Sequence, residues 1–147
     1  MKILITGLLV VSMCLNAQAQ SASEQSAFKV LDEFMSAFNA YDARAWADTL
    51  HFPHYRLASG AMRKQEAGEA TIEALQQAIN RLKASGWHHS AWVHRNVVHS
   101  AADKVHIDTR FRRFRADGTT IATFDSLYIV TRENDKWAIK MRSSFAQ

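Results

Sequence analysis

The segment KVHIDTRFRRFRADGTTIATFDSLYIVTR occupies residues 104–132 and contains two strand patterns joined by a turn. In its first half, apolar and polar side chains alternate with the period of two residues that is typical of a half-buried β-strand. Asp117-Gly118 then predicts a tight hairpin turn, because glycine readily adopts the positive φ that such turns require. A link this short forces the two strands to run antiparallel. One face of the first strand carries Val105, Ile107, Thr109 and Phe111, and the other carries His106, Asp108, Arg110 and Arg112.

Alternating patterns extend in both directions from this hairpin. They predict four consecutive antiparallel strands over residues 87–98, 104–115, 121–132 and 137–145. Glu133-Asn134-Asp135 predicts a looser turn before the last strand. Residues 121–130 are nearly apolar on both faces, so this strand needs cover on both sides, and a second copy of the chain is the economical cover. The pattern therefore predicts a homodimer.

The residues before Gly86 follow mainly helical periods. Apolar side chains recur there every three or four positions, which is typical of amphipathic helices. Asp42 can cap the second helix, and Gly86 is well placed to end the third. Pro53 ends any helix before it, because the residue preceding a proline is pushed to extended geometry. A short strand is predicted over residues 54–58. The predicted helices cover residues 23–41, 42–50 and 72–82. This order predicts an α+β fold, with a curved antiparallel sheet wrapped around three N-terminal helices.

The composition is that of one globular domain. The chain has 147 residues, of which 48% are hydrophobic and 22% charged, and its formal charge is +4. These values exclude a disordered tail, a repeat array and a multidomain enzyme. Cys14 is the single cysteine.

The first 19 residues have the pattern of a secretory signal peptide. Met1-Lys2 precedes an apolar run, and Ala17-Gln18-Ala19 supplies the small residues of a signal-peptidase site. We therefore expect a signal peptide over residues 1–19, cleavage before Gln20, and a single mature domain over residues 20–147. The signal peptide predicts a periplasmic or secreted protein. The mature chain would lack cysteine and hence disulfides, which fits a bacterial periplasm better than a small disulfide-stapled extracellular module. No membrane attachment is expected after cleavage.

Several segments taken in order resemble one known superfamily. They are the apolar helix 28–41, Asp42-Ala43-Arg44-Ala45-Trp46, His51-Phe52-Pro53-His54, and Trp137-Ala138-Ile139-Lys140. The chain resembles the nuclear transport factor two-like superfamily, which includes SnoaL-like polyketide cyclases, ketosteroid isomerase and scytalone dehydratase. The resemblance implies a cone-shaped fold that encloses a pocket, and commonly a homodimer. It implies no single activity, because this fold serves both enzymes and binding modules.

His54 is the first candidate for a catalytic base. Ketosteroid isomerase uses an Asp base, whereas the corresponding segment here, His51-Phe52-Pro53-His54, has no carboxylate. An imidazole titrates at about pH 6.5 and suits proton transfer near neutrality. The alternative role for His54 is structural, with its ring hydrogen-bonded to the backbone at the corner between helix and strand.

Asp125 and Tyr128 are the other catalytic candidates. A carboxylate inside an otherwise apolar strand needs a partner or a raised pKa, and Arg142 on the neighbouring strand is the expected partner. A buried Asp125–Arg142 pair could instead hold strands or a dimer in register. Tyr128 lies three residues after Asp125, so the two face opposite sides of a regular strand.

The remaining site predictions concern ligand contacts. The histidines have no spacing typical of a metal site, so neither a metal nor a cofactor is expected. The arginines between 110 and 115 divide between two strand faces, which argues against nucleic-acid binding and favours a solvated strand end or attraction of an anion. The predicted ligand-binding residues are Phe34, Phe38, Tyr55, Arg56, Trp92 and Arg142.

Two functions follow from these residues. The first is an exported domain that binds a small apolar or weakly anionic molecule between the Phe-rich helix and the sheet. The alternative is an isomerase or lyase that acts by proton transfer, with His54 as base and Tyr55, Arg56 or Tyr128 polarising a carbonyl. The absence of a carboxylate motif favours the first.

Overall fold

The computed structural model describes residues 21–146, which form three helices and a six-stranded sheet. The helices are α1 (Ala22–Asn39), α2 (Ala43–Asp48) and α3 (Glu69–Ala84). The strands are β1 (Leu50–Ala58), β2 (Ala61–Gln65), β3 (His89–Ser100), β4 (Lys104–Phe114), β5 (Thr120–Glu133) and β6 (Lys136–Ser144). The predicted signal peptide and its cleavage site lie outside the described residues. Within residues 21–146, none of the helices is both long and apolar enough to cross a membrane.

The α+β prediction is confirmed, and so are the four consecutive strands after Gly86. The strand order is β2-β1-β6-β5-β4-β3. Helix α1 packs across β3, β4, β5 and β6, while α2 and α3 pack against each other. Register shifts in several strand pairs bend the sheet around these helices.

The sheet is not wholly antiparallel, contrary to the prediction. The pair β1–β6 is parallel, whereas the other neighbouring strands pair antiparallel. Hairpin links force antiparallel pairing only between consecutive strands. Strands β1 and β6 are separated by most of the chain, so no short turn dictates their direction.

Strand β1 is longer than predicted, and β2 was not predicted at all. β1 begins at Leu50, before Pro53, where Leu50 pairs with Ile139 of β6. The ladder between the two strands is then interrupted between Leu50 and Tyr55. Pro53 lies in this interruption, where its missing N–H leaves no ladder partner unsatisfied. β2 is an exposed edge strand, so its sequence AMRKQ lacks an apolar alternation.

The predicted caps and turns are present, with one difference. The Asp42 side chain accepts a hydrogen bond from the Ala45 amide at 2.9 Å, and Gly86 follows α3 with a φ of 86°. The turn between β5 and β6 is tighter than predicted. It has two residues, Asn134 and Asp135, with φ of 50° and 62°, which are the positive values of a type I′ hairpin.

The core lies between α1 and the inner face of the sheet. Inward side chains of β4 and β5 alternate as predicted, and Tyr128 is 1% exposed. The rings of Phe34 and Tyr128 meet edge to face with centroids 5.7 Å apart. The rings of Phe38 and Trp87 are tilted by 35° to each other, with centroids 4.5 Å apart. Phe34, Phe38 and Tyr128 of this aromatic layer also line the cavity described next.

Candidate functional site

An open cavity of about 330 Å³ lies between the helices and the inner face of the sheet. Its apolar wall comes from α1, α2 and α3, and from Leu50 and Ile139 on the sheet. The polar wall comes mainly from the sheet and is strongly basic. No Asp or Glu of the described chain lines it. The basic side chains on its lining are His54, Arg56, Arg63, Arg81, Arg113 and Arg142.

Three strands place two arginines and a tyrosine side by side. Arg56 on β1 is the register partner of Arg142 on β6, which is in turn the partner of Tyr128 on β5. The Arg142 Nη1 donates to the Tyr128 hydroxyl at 3.4 Å. The Arg56 Nη2 donates to the carbonyl of Ala146 at 3.1 Å. Pairing across the sheet therefore fixes a basic row on the cavity wall.

Arg56, Arg113 and Arg142 are incompletely satisfied. In each, the Nε atom is buried without a hydrogen-bond partner. None of the three forms an ion pair with a carboxylate of residues 21–146. Burial, and secondly repulsion by Arg142, lowers the pKa of Arg56 to about 10 and that of Arg113 to about 10. These guanidinium groups are still positive at neutral pH.

Aromatic rings support two of these cations. The Arg142 guanidinium lies 5.4 Å from the Phe34 ring centroid and 5.7 Å from that of Tyr128. Arg113 lies 4.9 Å from the Phe124 centroid. Such cation–π contacts attract a guanidinium electrostatically while leaving its in-plane N–H donors free. The cavity thus holds charge beside an apolar surface.

His54 is a buried, neutral ring in the same wall. It is 3% exposed, and its Nδ1 lies 3.1 Å from the carbonyl oxygen of Ile139. A carbonyl only accepts, so Nδ1 carries the proton and Nε2 keeps its lone pair. Burial, and then the charge of Arg142, lowers the pKa of His54 to about 4. The bond to Ile139 is the backbone contact expected in the structural alternative, while the ring also lines the cavity.

The structure brings six of the nine predicted site residues together. Those lining the cavity are Phe34, Phe38, His54, Arg56, Tyr128 and Arg142. Tyr55 does not line it, because it alternates along β1 with the inward His54 and Arg56. Trp92 also lies outside the lining, packing edge to face against Phe111 and Tyr128.

The predicted buried Asp125–Arg142 pair is wrong. Asp125 lies on the exposed face of β5, opposite in direction to Tyr128, as the strand period predicts. It is the register partner of Arg110, whose Nε donates to its carboxylate at 2.6 Å. This arginine holds the pKa of Asp125 below its usual range. Arg142 instead points into the cavity beside Tyr128.

Three cavity arginines were missed from the sequence, namely Arg63, Arg81 and Arg113. The strand period could have identified Arg113, because it places this residue on the same inward face of β4 as Thr109 and Phe111. Arg63 lies on the unpredicted strand β2. Arg81 lies in the last turn of α3, where a basic residue is equally typical of a helix C-terminus.

No metal centre is evident in the described part of the chain. Among residues 21–146, no three His, Cys, Asp or Glu side chains converge in a way that could hold a metal ion. The histidines on the sheet make other contacts, such as that of His94 with Asp108 at 3.1 Å.

Residues 23–143 match a family described as NTF2-like protein (DUF6841). The chain belongs to this family. The match includes the helices and nearly all of the sheet that build the cavity. Thus the resemblance to the nuclear transport factor two-like superfamily is confirmed. No curated protein matches the chain.

Solved structures share the NTF2-like fold at low sequence identity. A protein of unknown function from Shewanella oneidensis MR-1 is 15% identical with a TM-score of 0.65, covering 82% of this chain and 97% of its own. An NTF2-like protein from Novosphingobium aromaticivorans is 18% identical with a TM-score of 0.68, and the alignment covers 84% of this chain and 80% of that protein. A ketosteroid isomerase-like protein from Erwinia carotovora atroseptica is 14% identical with a TM-score of 0.61, and the alignment covers 82% of this chain and 93% of that protein. These likenesses establish the cystatin-like cone fold.

Proposed function

We propose that this NTF2-like protein binds a small, largely apolar molecule in the cone cavity. The observation that carries the proposal is the open cavity of about 330 Å³, which is lined by aromatic and aliphatic side chains with a few converging polar groups. Pockets of this size and composition are typical of small-molecule sites. An aromatic floor of Phe34, Phe38 and Trp46 supplies the apolar contact surface.

Native mass spectrometry tests this proposal directly. The protein is purified gently and its mass is compared before and after denaturation. A defined extra mass on the native protein supports binding. The variant Ala78→Phe, which places a ring in the cavity from α3, should then abolish retention of that mass. Gln77→Phe is the matched control, since Gln77 lies on α3 but is exposed outside the cavity. Equal retention by both variants would refute binding in this cavity.

We propose further that the protein is exported. The support is the sequence of residues 1–19, with its apolar run and small-residue cleavage motif. The intact mass of protein recovered from a periplasmic extract tests this. A chain that begins at Gln20 is expected, and a cytoplasmic chain that retains Met1 would contradict export.

Proton-transfer catalysis is the second candidate function. The observation that favours it is His54, a neutral ring in the cavity wall whose Nε2 keeps a lone pair. Arg56 and Tyr128 line the same cavity and could polarise a carbonyl. A structurally similar Erwinia protein is described as ketosteroid isomerase-like. An isomerase or lyase acting on a carbonyl compound would use these groups.

Deuterium exchange separates catalysis from binding. Carbonyl compounds that bind are incubated with the protein in heavy water, and loss of the α-proton signal is followed by NMR. Exchange that His54→Gln abolishes without weakening binding would establish the catalytic role. Binding with no exchange above the buffer rate would leave a binding domain only.

We also propose that two copies pair through the sheet. Val93 and Val98 on β3 and Leu127 on β5 are 47%, 48% and 37% exposed. A second copy packed on the sheet would remove these apolar side chains from water. Light scattering after size-exclusion chromatography should give twice the chain mass. Leu127→Lys should give the single-chain mass, while Met62→Lys on the edge strand β2 should remain paired. A monomeric unaltered protein would overturn this proposal.

A further inference from the structure

The cavity has one property that apolar binding alone does not require. Its lining includes five arginines and no carboxylate among the described residues. Arg63 and Arg81 are exposed to solvent, whereas Arg56, Arg113 and Arg142 are partly buried and carry the argument that follows. Buried cations are normally paired, because removing an unpaired charge from water is costly. A cluster of this kind stabilises a bound anion and destabilises the empty protein. A bound anion would supply the counter-charge that residues 21–146 do not place in the cavity.

The free donors indicate which anion is suitable. Arg56 uses one Nη for the Ala146 carbonyl, and Arg142 uses one Nη for the Tyr128 hydroxyl, but both keep a buried Nε without a partner. Arg113 also has a buried, unpartnered Nε. A guanidinium presents its N–H donors as a planar fork that matches the two oxygens of a carboxylate.

The surroundings of these donors indicate the rest of the ligand. Phe34 lies beneath Arg142 and also lines the cavity, and Phe111 lines it beside Arg113. From the basic row the cavity continues to the aromatic floor around Phe38 and Trp46. A small hydrophilic anion would leave this floor without contacts.

We propose that the ligand is an apolar carboxylate, an aromatic or alkyl acid whose carboxylate is held by Arg56, Arg113 and Arg142 and whose body lies on the aromatic floor. This inference rests on the proposed binding function and deepens it. The sequence predicted an apolar or weakly anionic ligand, whereas the arginine cluster requires a ligand with a full negative charge. His54, with its free Nε2, is placed to accept a hydrogen bond from a hydroxyl on such an acid.

Calorimetric titration with matched acids and amides tests the inference. The probes are benzoate, cinnamate, naphthoate and octanoate, each compared with its primary amide, together with inorganic phosphate. At least one acid should bind about tenfold or more tightly than its amide, because charge-assisted hydrogen bonds to guanidinium are lost in the amide. Phosphate should bind more weakly than that acid, since it makes no contact with the aromatic floor.

Variants identify the groups responsible. Arg113→Gln and Arg142→Gln should each weaken the acid by about tenfold and leave amide binding nearly unchanged. Arg112→Gln is the matched control, because Arg112 lies on β4 next to Arg113 but on the other face of the sheet. Circular dichroism melting confirms that each variant is folded.

The outcomes distinguish the two proposals. If an amide binds as tightly as its acid, the carboxylate inference is wrong and the binding function stands. If phosphate binds as tightly as the best acid, the requirement for an apolar body is wrong. If no acid and no amide binds, the carboxylate inference is wrong, and the native mass measurement with Ala78→Phe and Gln77→Phe decides the binding function separately.

Discussion

Replacing Arg113 by Met should stabilise the unliganded protein. Burial and the charge of Arg142 lower the pKa of Arg113 to about 10, and each pKa unit corresponds to about 1.4 kcal/mol. The charged form is thus disfavoured by roughly 3 kcal/mol in the folded state. Solvent at the cavity mouth screens part of this penalty, and contacts with Phe111 and Phe124 offset part of it. We expect a net gain of about 1 to 2 kcal/mol for Arg113→Met, whose side chain keeps a similar length.

Urea unfolding at pH 7 measures this gain. The cost of burying the charge is fully present at pH 7, because this pH lies below the pKa of Arg113 in both the folded and the unfolded chain. It would be lost only as the pH rises above the folded pKa. Arg112→Met, on the exposed face of the same strand, should change stability by less than about 0.5 kcal/mol. A loss of stability of about 1 kcal/mol or more in Arg113→Met would refute the reasoning, since it would mean that the guanidinium is satisfied in the free protein.

Three further predictions concern other positions. Acidification from pH 7 to pH 4 should lower the free energy of unfolding by about 2 to 3 kcal/mol through His54, because its folded pKa is about 4 and its unfolded ring takes up a proton near pH 6.5. The free energy of urea unfolding should therefore depend less on pH in His54→Gln, and an equal dependence would contradict burial of a neutral ring. Phe34→Ala should lower the free energy of unfolding by about 3 kcal/mol, because the side chain is 4% exposed and packs against other rings. A decrease below about 1 kcal/mol in calorimetric unfolding would place the Phe34 side chain in solvent. Asp125→Asn should leave melting temperature and acid affinity unchanged, since its partner Arg110 is on the exposed face, and weaker acid binding would return Asp125 to the site.

The fold was largely predictable because its signals are local. Alternation over residues 104–115 and the Asp117-Gly118 turn depend only on neighbouring residues, and both are present in β4 and its hairpin. Strand β2 left no such signal, because an exposed edge strand buries too little to require apolar residues. The parallel direction of β1 and β6 depends on packing of the whole chain rather than on any turn.

The site was only partly predictable, for a related reason. The strand period assigns Arg113 to the face of Phe111, so its position in the cavity follows from the sequence once that period is extended. The partner of Asp125 does not follow in this way. A register shift between Arg113 and Phe114 changes which residues of β4 and β5 meet, and one residue of slip exchanges every cross-strand partner.

The parallel pair β1–β6 also determines when the cavity can form. Arg56 and Ala146, which are joined by a hydrogen bond, are 90 residues apart in the chain. Contacts between such distant segments close large loops and form late in folding. Helix α1 and the β4–β5 hairpin can assemble while β6 is still being synthesised, but the row of Arg56 and Arg142 cannot. A chain shortened by its last few residues would therefore retain most of its secondary structure and lose the wall of the proposed binding site.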